Sequence, residues 1–266
     1  MPVTEINGIP LNHTVTGSGP PVVLVMGAGA AGRVWHLHQV PALVDAGFRV
    51  ITFDNRGIGD SGGTGAFTID DLVADTAGLI EHLDVGPCRL AGTSLGALVV
   101  QELALARPDL VTHAVMMATR GRDDAMRTAM RVAEQELRAG DVEPPRRHEA
   151  IVRALKNLSP RTLNDEAAVR DWLDIFELSP PLWNDGMRTQ LTLGMDKSRL
   201  DAYRGITVAS LVIGFADDLT LPPHLAREVA EAIPGARYEE LDGCGHYGYL
   251  ERPAEVNALL LKFFTA

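Results

Sequence analysis

Apolar and polar positions along the 266-residue chain fall into two regimes. Up to Thr119, and again from Gly205, short apolar runs alternate with segments whose apolar residues recur at helical spacing. The opening reads as a hairpin, Thr4–Ile6 and Leu11–Thr16 around a turn at Asn7–Gly8. Val22–Met26 is apolar throughout, as a strand covered on both faces of a parallel sheet must be. Val40, Leu43 and Val44 then share a helical face, and Phe48–Asp54 is the next strand, ending in the turn-rich loop Asn55–Gly63. Thr68 and Asp71 form a capping pair for a helix whose Ile69, Leu72, Val73, Thr76, Ile80 and Leu83 make one stripe. A strand through Leu90 and Ala91 enters a helix from Ala97 that Pro108 closes, and His113–Ala118 is a further strand.

From Arg120 to about Arg204 every periodic segment is helical, with breaks at Gly140, Pro144–Pro145, Pro160, Pro180–Pro181 and Gly205. The strand–helix rhythm then resumes. Ala209–Gly214 is a strand, Leu225, Val229 and Ile233 line a helix opened by Pro222–Pro223, and Ala236–Leu241 is the last strand. Pro253 opens a final helix striped by Val256, Leu259, Leu260, Phe263 and Phe264. The pattern predicts an α/β fold: a mostly parallel sheet with helices on both faces. Residues 1–119 and 205–266 form its core domain, and residues 120–204 a helical cap over the carboxyl edge of the sheet.

Length and composition narrow this picture. The chain suits one large domain with an insertion and buries a sizeable core. A net charge of −11 repels phosphate backbones, so nucleic acid is not an expected partner. Cys88 and Cys244 make no disulfide framework, no apolar run has membrane-spanning length, and Met1–Glu5 carries no signal-like pattern. A cytoplasmic protein that binds no membrane is expected. Oligomeric state is not legible.

The chemistry concentrates at Gly92–Thr93–Ser94–Leu95–Gly96, where an apolar strand passes through a sharp turn straight into a helix. Gly92 and Gly96 let backbone segments pass closely, while the turn lifts the Ser94 hydroxyl to the positive end of the helix beside the Leu95 N–H, an oxyanion donor. A serine hydroxyl is a weak nucleophile and needs a base, itself oriented by a carboxylate. His246 follows the last strand in a Gly-rich loop, and Asp217 and Asp218 follow the strand Leu211–Gly214. All of them fall at the carboxyl ends of strands, where reactive groups of open α/β sheets gather.

Met26–Gly27–Ala28–Gly29, Asp54–Asn55–Arg56–Gly57–Ile58–Gly59–Asp60–Ser61, Gly92–Thr93–Ser94–Leu95–Gly96, and Gly243–Cys244–Gly245–His246 with Glu251–Arg252–Pro253 together make the chain resemble an α/β-hydrolase over nearly its whole length apart from the cap. The resemblance implies the α/β-hydrolase fold and the triad order Ser, Asp, His. The family's acid commonly opens an Asp-x-x-x-Pro segment, matched here by Asp218 to Pro222, so Asp218 is preferred to Asp217. Ser94 is then the nucleophile, His246 the base and Asp218 its orienting acid. The second oxyanion donor is the Ala28 N–H, although many relatives carry His–Gly where this chain has Met26–Gly27.

These residues lead to a serine hydrolase that cleaves an ester, thioester or lactone of a small to medium, mostly apolar molecule through an acyl-enzyme, with no cofactor. Similar chains also include lyases, cofactor-free perhydrolases, and tailoring enzymes of secondary metabolism that eliminate or cyclise; this is the alternative. A ligand-binding protein with a vestigial triad is a third reading. Epoxide and haloalkane hydrolases are disfavoured because they carry Asp at the position of Ser94.

Trp35, Trp172, Phe176, Trp183 and Met187, with Tyr247 beside His246, are candidate pocket walls. His36 and His38 have the spacing of a metal pair but no converging Cys, Asp or Glu, so no metal site is expected. Arg120, Arg122, Arg127 and Arg131, interspersed with Asp123, Asp124 and Glu134, read as a solvated, salt-bridged cap face, with an anion-binding patch as the alternative.

Overall fold

The computed structural model describes residues 3–139, 144–179, 184–195 and 197–266. Among these residues eight strands form one sheet in the order β1-β2-β4-β3-β5-β6-β7-β8: β1 (Val3–Ile6), β2 (Ile9–Thr16), β3 (Pro21–Val25), β4 (Arg49–Phe53), β5 (Cys88–Thr93), β6 (Val111–Met117), β7 (Ala209–Phe215) and β8 (Arg237–Leu241). The β1–β2 and β2–β4 pairs are antiparallel, and every later pair is parallel. Asn7 and Gly8 both take positive φ (49° and 74°), the conformation a two-residue hairpin turn requires, which joins β1 to β2 where the sequence places the turn.

The helices of the core domain are α1 (Gln39–Asp45), α2 (Ile69–His82), α3 (Leu95–Ala106), α10 (Pro223–Ala232), α11 (Gly248–Glu251) and α12 (Pro253–Phe264). Between β6 and β7 lie α4 (Ala125–Ala139), α5 (Arg146–Asn157), α6 (Pro160–Leu163), α7 (Glu166–Leu178), α8 (Asp185–Thr192) and α9 (Leu200–Tyr203). This is the α/β-hydrolase architecture with an inserted helical cap.

Alternation along the strands divides the core in two. Val23 and Val25 of β3 face the side of α2, α3 and α10, while Val22 and Leu24 face that of α1 and α12. Both sets are fully buried, which is why the run contains no polar residue. The Thr68–Asp71 box caps α2 reciprocally: the Thr68 hydroxyl accepts from the Asp71 N–H, and the Asp71 carboxylate accepts from the Thr68 N–H. Asp75 on α2 is also buried, because Arg56 from the loop after β4 binds it bidentately at 2.6 and 2.8 Å. Asp54 accepts from Asn12 Nδ2 and the Gly32 N–H, both at 2.8 Å, so Asp54 and Arg56 are structural ties.

We propose residues 120–204 as the cap unit. Its junctions with the core are polar: Gln101 of α3 bonds Thr119 Oγ1 and, through Nε2, the Arg120 carbonyl at 3.1 Å. At the other junction Tyr203 is fully buried in the core, its hydroxyl donating to Glu102 Oε1 at 3.0 Å. Among the described residues no helix is long and apolar enough to cross a membrane.

Candidate active site

The turn from β5 into α3 has the strained geometry its glycines suggest. Ser94 sits at φ 54°, ψ −117°, a conformation rare for a residue with a side chain. A Cβ on Gly92 would overlap the Gly96 carbonyl, and one on Gly96 the Val25 carbonyl, so only glycine allows β3, β5 and α3 to meet this closely. Ser94 is the N-cap of α3, yet its side chain makes no capping bond, which leaves the hydroxyl to the half-open space above. Leu95 is the first residue of α3, so its N–H is one of those a helix leaves without an internal acceptor.

The loops after β7 and β8 bring Asp218 and His246 together. His246 Nδ1 lies 2.7 Å from Asp218 Oδ2, and Asp218 Oδ1 accepts from the Thr220 and Leu221 N–H groups, both at 2.8 Å. Three bonds satisfy a carboxylate that is only 2% exposed and hold it in one orientation. With Asp218 ionised, Nδ1–H is the donor, and Nε2 keeps its lone pair for a proton from elsewhere. Asp217 is half-buried and meets the Cys244 carbonyl through its backbone N–H. Cys244 is buried against the Leu241 carbonyl, and burial beside Glu251 pushes its thiol up to about 12, so it stays protonated and inert.

Ser94, His246, Ala28 and Leu95 open onto one cavity of about 400 Å³ beneath the cap. Met187 and Tyr247 line it; Trp35, Trp172 and Phe176 do not. Trp35 is fully buried under the sheet against Tyr249, ring centroids 5.0 Å apart, because the 3₁₀ turn Gly32–Leu37 that carries it points inward. Trp172 and Phe176 form a small apolar cluster that packs α7 on α5, with Tyr247 between it and the cavity. Trp183 lies outside the described residues. His36 Nε2 bonds Thr52 Oγ1 at 3.1 Å, and among the described residues no three His, Cys, Asp or Glu side chains converge to hold a metal.

Two groups of residues at this site carry no sequence signal. Gln190 on α8 accepts from the Gly29 N–H at 2.9 Å and donates to the Arg56 carbonyl at 3.0 Å, fixing the loop that carries Ala28. The C-terminal end of α5 holds the other two loops: the Lys156 carbonyl accepts from Thr220 Oγ1, and the Asn157 carbonyl from the Tyr247 N–H, both at 3.0 Å. The arginine face expected on the cap is salt-bridged, through Arg120–Asp123, Arg122–Glu228 and Arg131–Asp123, but two of its four arginines are not solvated. Arg120, in the segment before α4, and Arg127, on α4, are 4% and 9% exposed and line the cavity. Burial pulls the Arg120 guanidinium below its ordinary value, against the pull of Asp123.

The alpha/beta hydrolase family profile matches residues 22–259, and the chain belongs to that family of enzymes. A Mycobacterium tuberculosis protein named as a non-heme bromoperoxidase, BpoC, is 49% identical over 258 residues, which cover 97% of this chain and 98% of that one. Its crystal structure superposes with a TM-score of 0.93 over 96% of this chain and 95% of that one. A protein of Azorhizobium caulinodans named as the carbamate hydrolase RutD is 30% identical, over 99% of this chain and 98% of its own. The enol-lactonase of Burkholderia xenovorans LB400 matches at 25% identity and TM-score 0.85, with complete coverage of both chains. The name of the relative at 49% identity, a non-heme bromoperoxidase, matches the perhydrolase alternative better than it matches plain ester hydrolysis.

Proposed function

We propose that this protein is a serine-dependent acyl-transfer enzyme of the perhydrolase type, which forms an acyl-enzyme on Ser94 and passes the acyl group to hydrogen peroxide or water. The observation that carries this reading is that His246, paired with Asp218 at 2.7 Å, lines the same cavity as a Ser94 hydroxyl not spent on capping. The Ser94 Oγ attacks the carbonyl carbon of an ester, and its proton passes to His246 Nε2. The ester C–O bond breaks, and His246 returns the proton to the departing alcohol. Asp218 stabilises the imidazolium in between. The developing oxyanion is met by the Ala28 and Leu95 N–H groups, each worth about 3–4 kcal/mol of barrier.

Hydrogen peroxide then gives a proton to His246 and attacks the acyl carbon. The bond to Ser94 breaks, the proton returns to its oxygen, and a peracid leaves. A peracid oxidises bromide in solution, returning a carboxylate and hypobromous acid, so bromoperoxidase activity of this kind needs no haem. The 49% identity to BpoC supports peroxide as the acceptor. Water as the acceptor gives hydrolysis, the second reading, which the likeness to a carbamate hydrolase and an enol-lactonase favours.

A fluorophosphonate should label Ser94, as read by mass spectrometry. With a 4-nitrophenyl ester, added peroxide should divert product to peracid and brominate a trapping agent in the presence of bromide. Labelling and hydrolysis without any peracid would leave the hydrolase reading standing alone. Turnover that survives Ser94→Ala and is lost in His246→Ala would instead assign His246 as a base acting without an acyl-enzyme.

A further inference from the structure

Beneath the cap the cavity is cationic, although the chain as a whole carries a net charge of −11. Its lining includes Arg120, Arg127, Arg153 and Lys156 against Glu134 and Glu149, with His148 counted as neutral. Each carboxylate close to α4 spends one oxygen on a neighbouring cation, while Asp123 Oδ2 and Glu134 Oε2 have no hydrogen-bond partner among the described residues. Asp123 is 2.6 Å from Arg120 Nε and 3.5 Å from Arg131 Nε, while Glu134 is 2.8 Å from Lys156 Nζ and 3.9 Å from Arg127 Nη1. Asp124 is turned elsewhere, accepting from the Arg127 backbone N–H and facing His224. Four cations thus divide two carboxylates among the described residues.

Arg127 comes off worst in this division. It is nine-tenths buried, its Nε–H has no hydrogen-bond partner among the described residues, and its ion pair is beyond hydrogen-bond reach. A buried guanidinium edge with an unspent donor is unstable unless an anion completes it. The planar fork of guanidinium matches the two oxygens of a carboxylate.

We propose that Arg127 binds a carboxylate on the substrate, so that the acyl group delivered to Ser94 is that of a small dicarboxylic acid esterified or lactonised at one end. This rests on Ser94 as the acylated residue for its kinetic consequence, but not for binding of the free acid. Arg127 is then a specificity-determining residue: it anchors the far end of the acyl chain, and the apolar wall made by Met26, Leu98, Val152 and Met187 takes the methylenes. Arg120 and Lys156 are held by their own carboxylates, which leaves Arg127 as the guanidinium free to meet the ligand.

The test compares 4-nitrophenyl hydrogen glutarate with 4-nitrophenyl methyl glutarate, whose far ends are an ionised carboxylate and its neutral methyl ester. The wild-type enzyme should favour the free acid in kcat/KM by about tenfold to a hundredfold, the worth of a charge-assisted hydrogen bond. Arg127→Met should collapse that ratio to near one, and Arg127→Lys should retain part of it. A wild-type enzyme that treats the two esters alike, or prefers the methyl ester, overturns the proposal without any variant having to fold. Calorimetry with glutarate itself separates this from the acyl-enzyme reading. If neither ester is turned over, glutarate binding by wild type and not by Arg127→Met still supports the subsite, whereas equal binding by both overturns it even where the esters are hydrolysed.

Discussion

The sheet core and the cap solve opposite problems with the same kind of helix. In the core, α3 and α12 lay apolar faces on strands that are themselves apolar, and residues such as Val100, Leu260 and Phe264 are almost wholly removed from water. In the cap, α4 turns arginines inward while Met126 and Val132 stay exposed, and Leu178 at the end of α7 is 83% exposed. The core therefore draws its stability from apolar area, whereas the cap is tied down by hydrogen bonds and ion pairs at a few points. Those points are not arbitrary. The α5 carbonyls and Gln190 reach the three loops that carry Asp218, His246 and Ala28, so the weakly packed layer fixes the geometry that the rigid layer presents.

The sharpest break in this comparison is chemical. Ser94→Ala, which leaves the core packing intact, should lower turnover by roughly 10⁶-fold with no loss of melting temperature. Next in size is a pair of tryptophans. Trp35→Ala empties a fully buried site and should cost about 3–5 kcal/mol of unfolding free energy in urea. Trp172→Ala removes a half-buried cap residue and should cost about 1–2 kcal/mol; equal losses would show that core and cap unfold as one equally packed unit.

A smaller effect tests the tie between the layers. Gln190→Ala releases the Gly29 N–H and should reduce kcat about tenfold through a misplaced Ala28, with far less change in melting temperature than Trp35→Ala. An unchanged kcat would mean that the Ala28 loop is set by the core alone. The smallest is a pH effect confined to the core. Burial holds His13 and His113 below their ordinary value of 6.5, each with an Nδ1 that has no partner among the described residues. The unfolded chain therefore binds protons that the folded chain refuses, so stability should fall as pH drops below about 6.5 and keep falling through the lowered folded values. His113→Phe, set against Phe263 and Phe264, should flatten that acid limb in thermal melts.

Much of the molecule is legible without its structure. The unbroken run Val22–Met26 can only be a doubly covered strand, and Thr68 with Asp71 marks the start of a helix. Gly92 and Gly96 are required where three backbones meet, which leaves Ser94 strained. These signals are local: each depends on residues a few positions apart, on side-chain period and on turn chemistry, whereas the order Ser94, Asp218, His246 and the preference for Asp218 over Asp217 are what the resemblance to α/β-hydrolases implies. What the tertiary structure alone decided is which surfaces meet. An amphipathic stripe shows that one face of a helix is buried, and not what lies opposite. Trp35 thus went under the sheet, Trp172 and Phe176 into the packing of the cap, and the arginine face of α4 over the cavity. Gln190 gave no sign of its place because hydrogen bonds across 161 residues have no period in the sequence.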